Sequence, residues 1–476
     1  MAASFYWYDY ETFGTHPGLD RASQFAGVRT DIDLNLTGEE LLIFNRLTDD
    51  YLPQAEACRV TGIGPQQVQE KGLAEIDFIR RIHAAMTTPE TCLVGYNSIR
   101  FDDEFTRHTL FRNFFDPYEQ EWKNGNSRWD LLDVVRLTRA LRPEGINWPV
   151  HPDGKPSNRL EDLTAANDIH HTDAHDALAD VHATIAVARL IRTRQPKLFD
   201  YAFTHRGKAK ANAALNLREQ PAVVHVSGMI SGEYGHTAIV APVTRLPENK
   251  NAIVVFDLRE NPAELAELDV DAIRTRVFTA QADLPASIKR LPLKVVHVNR
   301  SPVLVPLAVL DDDSAARLQI DKPASLRHLD ILRGLDVATK VAEALQPAGR
   351  DHQPDIDASL YSGGFFSDGD RRKFATIRSL SATELQDHVE LFDDPRVEEM
   401  LFRYRARNWP ETLNADEQKR WREHCQQYLL AKDDGGSRLQ NFLAELDRLE
   451  WTAEQEALCA DLKAYAEALN SHYQGC

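Results

Sequence analysis

Four aromatic residues, Phe5-Tyr-Trp-Tyr, lead directly into Asp9-Tyr-Glu11, and no other stretch of this 476-residue chain constrains the fold as strongly. Residues of such β-propensity read as a short buried strand. Side chains two apart on a strand share a face, so Asp9 and Glu11 emerge side by side from an apolar element. Burying two carboxylates together is costly unless something positive sits between them. A hard divalent cation such as Mg²⁺ fits that role, because it takes oxygen ligands and keeps waters and phosphate oxygens around it. On this pair alone, a half-solvated acidic strand end that discourages edge pairing stands beside the metal reading. Further acids along the chain shift the balance.

The length suits two or three domains with full cores. Charged residues make up 27% of the chain and hydrophobic ones 43%, which describes a globular protein and not a disordered one. No apolar run approaches the roughly 18 residues of a membrane span. No basic stretch followed by an apolar one opens the chain, so neither a span nor a secretory signal is expected. The five cysteines (Cys58, Cys92, Cys425, Cys459, Cys476) are scattered without CxxC spacing. That pattern argues against a disulfide framework or a zinc ribbon and for a reducing cytoplasm. With a net charge of −18, any nucleic-acid site must be a local basic channel on an acidic body.

Three regions follow. Residues 1 to 192 alternate strand-like stretches (Phe5–Tyr10, Gln24–Asp31, Thr91–Asn97) with helical ones, ending in a helix over Asp176–Arg194; this is an α/β layout. From Ala222 to Pro306 short β-rich runs alternate with turn signals, as in a small barrel or sandwich. The segment Gln346–Asp357, with Pro347, Gly349 and Pro354, reads as a linker. Beyond residue 378 the pattern is helical, with helices expected over Arg396–Asn408, Ala415–Leu429 and Ala453–Ser471.

A third carboxylate follows the strand ending at Asn97. Asp102 and Asp103 lie where a loop turns into a helix over Glu104–Arg112; Asp103 is expected to cap that helix, leaving Asp102 for the metal. The fourth is Asp180, one turn inside the last helix of the region, with His175 at its start. An imidazole titrates near neutrality and suits a general base that takes a proton from a water. Taken singly, His175 reads as a surface histidine and Asp180 as a solvated helix acid.

Together, Asp-x-Glu, Asp and His-x4-Asp resemble the DEDDh family of 3′→5′ exonucleases. Longer motifs are similar to the bacterial exonuclease I family. These are Asp9-Tyr-Glu-Thr-Phe-Gly-Thr-His-Pro, Phe101-Asp-Asp-Glu, Asn126-Ser-Arg-Trp-Asp, Leu141-Arg-Pro-Glu-Gly-Ile-Asn-Trp-Pro, Pro196-Lys-Leu-Phe-Asp-Tyr, Gly363-Gly-Phe-Phe-Ser-Asp and Arg405-Ala-Arg-Asn. The doubled glycine at 363–364 departs from the family pattern, which has one.

The resemblance implies an RNase H-like exonuclease domain over residues 1–192, an SH3-like domain over 196–349 and a helical C-terminal domain over 352–476. It implies Mg²⁺-dependent, processive 3′→5′ degradation of single-stranded DNA to 5′-mononucleotides, in repair and recombination. Two Mg²⁺ ions, replaceable by Mn²⁺, are implied on Asp9, Glu11, Asp102 and Asp180, with His175 as the base. Glu11 and Arg159 are implied substrate contacts, and Arg107, Tyr118, Trp122 and Arg136 line up as further DNA contacts. Trp129 is expected in the core. The implied protein partner is the acidic C-terminal tail of single-strand DNA-binding protein, with Arg142 and Arg333 as candidate contacts on a monomeric enzyme. A DEDDh exoribonuclease would carry the same five catalytic residues and is the alternative. All five precede residue 181, so a fragment ending near residue 192 is expected to contain the chemical site.

Overall fold

The aromatic N-terminal run forms β1 (Ser4–Thr12), which pairs antiparallel with β2 (Ala22–Asp31) and parallel with β4 (Thr91–Gly95). Nearly every residue of these three strands is buried, as expected of strands covered on both faces. Adding β3 (Leu36–Phe44) and β5 (Ser127–Asp130) gives the order β3-β2-β1-β4-β5, so the strand that carries Asp9 and Glu11 is central. The computed structural model describes residues 3–171, 176–346, 355–387, 391–433 and 435–474. They fall into two units, residues 1–127, 172–182 and 351–476 in the first, and 128–171 and 183–350 in the second.

In the first unit, helix α1 (Glu75–Met86) buries Ile76, Phe78, Ile79, Ile82 and Met86. Helix α2 (Asp102–Arg112) follows β4 after a sharp turn. Asn97 opens that turn with φ of +67°, a left-handed conformation that asparagine tolerates better than most residues. The turn explains why β4 stops at Gly95, short of the expected Asn97. Tyr10, Phe25, Ile79, Phe111 and Phe114 share one core with Phe374, Ile377, Val397 and Tyr404 from the C-terminal helices. The Phe114 ring lies 5.1 Å from that of Phe374 and 5.3 Å from that of Tyr404. A second core joins Phe13, Tyr51 and Cys58 to Cys425, Phe442, Leu462 and Tyr473. The C-terminal helices are thus part of the same packing as β1.

Three expectations change here. Residues 347–354 of the expected linker lie outside the described residues, but Asp357 at its end is buried. Its carboxylate meets Arg407 and, at 3.4 and 3.5 Å, Arg21 and Arg403. A charged residue can be internal when its partners are, and those partners are hundreds of positions away or beyond the next helix. The all-helical C-terminal pattern also omits a small hairpin, Lys432–Asp433 with Gly436–Ser437. The last helix runs over Glu456–Gln474, three residues later than expected at each end.

The second unit holds an antiparallel sheet in the order β10-β6-β7-β8-β9: β6 (Val223–Val226), β7 (Thr237–Arg245), β8 (Ala252–Asp257), β9 (Leu293–His297) and β10 (Val303–Pro306). Val240, Ile253, Val255 and Val296 lie in its core. Trp129 is buried against Phe199, ring centroids 5.2 Å apart.

Candidate active site

Asp9 and Glu11 project from one face of β1, and Asp180 from the first turns of α3 (Ala177–Arg194). Oxygens of these three carboxylates all lie within 4.8 Å of one another. Asp102 begins α2 and is tied to the same strand, since its Oδ1 accepts the Tyr10 backbone N–H at 3.1 Å. The Thr106 hydroxyl, 3.0 Å from both the Asp102 carbonyl and the Tyr10 hydroxyl, secures this junction.

Electrostatics mark the same place. Burial first, then the charges of Asp102, Glu11, Asp180 and Asp176, hold the Asp9 carboxyl well above the usual carboxylate range. Burial, with Asp180, Asp102 and Asp176, pushes Glu11 up to about 8. Desolvated carboxylates that repel one another retain protons until a cation replaces them. A buried, all-oxygen donor set suits a hard divalent ion over a soft one.

Asp103 does not cap α2. The N-cap residue is Phe101, and Asp103 sits in the first turn, where its Oδ1 accepts the buried hydroxyl of Tyr8. Helix α2 begins two residues earlier than expected, which turns both aspartates toward β1. His175 lies outside the described residues.

Two residues enter the site without having been singled out. Asp176 Oδ1 accepts the N–H groups of Leu178 and Ala179, both at 3.1 Å, and so caps α3. Gln24 on β2 donates from Nε2 to Asp176 Oδ2 at 3.3 Å and accepts the Ala177 N–H at 3.1 Å. Asp176 carried a sequence signal, an aspartate opening a helix four residues before Asp180. Gln24 carried none.

The other expected contacts occupy varied surroundings. Arg107 is buried, its guanidinium 2.6 Å from both Glu104 and Glu121 and 5.4 Å from the Tyr118 ring. Trp122 is 65% exposed. Arg136 pairs with Asp133 at 2.7 Å, and Arg159 is largely exposed beside Glu161. Arg142 pairs with Asp311 at 3.1 Å, whereas Arg333 donates to the Gln220 carbonyl at 2.9 Å. No helix of the described residues is long and apolar enough to cross a membrane.

Three family models match the chain: Exonuclease over residues 6–188, Exonuclease I SH3-like domain over 206–346 and Exonuclease I C-terminal domain over 354–469. Exodeoxyribonuclease I of Escherichia coli K12 is 46% identical over 473 residues, 98% of each chain. That of Haemophilus influenzae is 47% identical over 432 residues, 90% of each. Among solved structures, exonuclease I of Methylocaldum szegediense superposes with a TM-score of 0.93 at 48% identity, covering 98% of this chain and 99% of its own. A zinc-bound complex of the E. coli enzyme with single-stranded DNA gives 0.92 at 46%, covering 98% and 100%. An ExoI/SSB-Ct complex gives 0.89 at 45%, covering 100% and 99%. An exonuclease domain with a partly buried acidic cluster indicates divalent-metal use.

Proposed function

The chain belongs to the exonuclease I family and is a single-stranded DNA exonuclease, and we propose that it works processively from the 3′ end, releasing 5′-mononucleotides. The observation that carries the mechanism is the convergence of Asp9, Glu11 and Asp180 within 4.8 Å, with Asp102 held against the same strand. In this reading these four residues hold two Mg²⁺ ions, for which Mn²⁺ substitutes. When bound, the ions lower the pKa of the attacking water and stabilise charge on the scissile phosphate and the leaving 3′-oxygen. His175 takes the proton from that water. Glu11 and Arg159 orient the terminal nucleotide, Arg159 through its exposed guanidinium. Burial of the carboxylates limits competing water, so the charges act in a medium where they are strong.

Tyr118 and the exposed Trp122 supply flat faces on which bases stack. Arg107 and Arg136 are read as backbone contacts. A phosphate must draw Arg107 away from Glu104 and Glu121, and Arg136 away from Asp133. Residues 1–192 are assigned the chemistry, while 196–349 and 352–476 hold the strand. The acidic tail of single-strand DNA-binding protein is the proposed partner, received by Arg142 and Arg333 of a monomer. The cysteines Cys58, Cys92, Cys425 and Cys459, none of them in a disulfide, support action in the reducing cytoplasm, and repair and recombination are the processes this activity serves.

The test is product analysis on a 3′-labelled single strand, its duplex and matched oligo-dA and oligo-rA, with and without Mg²⁺. Mononucleotides from the single DNA strand, only with metal, are expected. Equal degradation of oligo-rA would favour the exoribonuclease alternative, internal cuts would overturn the exonuclease reading, and retention of the 3′ label in shortening strands would overturn the polarity.

A further inference from the structure

Gln24 faces Glu11 directly across the β1–β2 ladder. Residues opposite each other in an antiparallel pair point to the same side, so Gln24 shares the face of the two β1 carboxylates. Gln24 is 3% exposed, and its side chain reaches the start of α3. The Ala177 N–H can only donate, which assigns the accepting oxygen Oε1. The Asp176 carboxylate accepts, which assigns Nε2. Asp176 in turn caps the Leu178 and Ala179 N–H groups, and its carbonyl accepts the N–H of Asp180 at 3.0 Å. One amide on β2, the strand paired with the one that bears Asp9 and Glu11, therefore joins the sheet to the helical turn that bears Asp180.

We propose that Gln24 and Asp176 are positioning residues for hydrolysis, a clamp that holds the first turn of α3 so that Asp180 meets the cation shared with Asp9 and Glu11. This rests on the reading above that Asp180 holds the metal. Asp9 and Glu11 sit on a central strand and cannot move independently of the sheet. Asp180 sits on a helix end, where the first four N–H groups have no intrahelical partner and fraying is easy. The clamp satisfies three of those groups, at Ala177, Leu178 and Ala179, and does so with a residue of the sheet and a cap attached to it. Without the clamp the carboxylate spacing is no longer set before metal arrives.

The chemistry supplies a reciprocal test. Gln24→Glu places a carboxylate against that of Asp176, and Asp176→Asn turns an amide donor toward the amide donor of Gln24. Combining them restores one donor and one acceptor in reversed order and keeps the net charge. In the full-length protein, Mn²⁺ alone is titrated by calorimetry, and kcat, KM and the half-saturating metal concentration are measured on oligo-dT. Each single variant is expected to weaken Mn²⁺ binding by about 10–100-fold and to lower kcat with KM for the strand unchanged. The double variant is expected to recover most of both. Gln24→Ala, which breaks both bonds without adding charge, should behave as the single variants do, and its melting curve verifies folding. A folded Gln24→Ala protein with parental Mn²⁺ affinity overturns the clamp, as does a double variant whose loss equals the two single losses combined. A parent that binds Mn²⁺ but leaves single-stranded DNA intact overturns the proposed function and leaves the calorimetric test of the clamp readable. A parent that binds no Mn²⁺ overturns the clamp's purpose.

Discussion

The backbone N–H of Tyr10 donates to Asp102 Oδ1 at 3.1 Å, so the residue between Asp9 and Glu11 in the chain anchors the third carboxylate from another element. Both partners are buried. Asp102→Asn keeps an acceptor for this N–H and should fold like the parent while losing cleavage. Asp102→Ala leaves the N–H unsatisfied and should lose a further 1–3 kcal/mol, roughly, of stability. Urea unfolding beside a labelled-strand assay separates the two effects, and equal stability of the two variants would contradict the anchor.

Burial and the charges of four neighbouring acids disfavour the charged form of Asp9. Asp9→Asn should therefore abolish cleavage yet raise the melting temperature in EDTA, because it relieves a repulsion the metal normally relieves. Single-strand binding should persist. Robust Mg²⁺-dependent cleavage by this variant would remove Asp9 from the metal site.

His175→Ala should reduce cleavage by about 10²–10⁴-fold, the usual contribution of a general base, while Mn²⁺ affinity changes little. Calorimetric loss of a metal site in this variant would make the histidine a ligand instead.

The buried charges around Asp357 predict the acid limb of stability. Burial disfavours the carboxylates, but Arg407 and Arg21 outweigh it, holding Asp50 down to about 2 and Asp357 well below the usual range. Folded values below the unfolded value of about 3.9 mean that the stabilisation is complete above that pH and is lost as pH falls through the folded values. The parent should lose stability steeply from about pH 4 to pH 2. Asp357→Asn strands Arg407 and Arg403 beside fewer acids and should cost about 3–5 kcal/mol at pH 7, with a shallower acid limb. Denaturant melts across this range check both.

A fragment ending near residue 192 contains the assigned catalytic residues but cuts through a shared core. Phe111 and Phe114 would lose Phe374, Ile377 and Tyr404, and Asp50 would lose Arg407. The fragment should be insoluble or bind hydrophobic dyes, and adding residues 355–476 in trans should rescue it. A well-folded, soluble fragment with a cooperative melt would show that the first region has its own sufficient core.

The local half of this protein is legible in its residues. The aromatic run dictates β1 because consecutive β-prone side chains favour an extended backbone, and the spacing of Asp9 and Glu11 then puts both on one face whatever surrounds them. The helix carrying Asp180 and the β-rich runs between Ala222 and Pro306 follow from equally short-range rules, and long motifs identify the family. What tertiary structure alone decided are relations between distant positions. Asp103 reads as a cap in isolation, but a buried Tyr8 hydroxyl offers it a partner across the fold and α2 starts earlier to bring them together. Asp357 reads as linker until three arginines close over it. Gln24 reads as nothing in particular, because its partners lie 152 and 153 residues away. Hydrogen bonds and ion pairs of that kind have no periodicity to display; they exist only after the chain has paid the entropy of bringing its ends together.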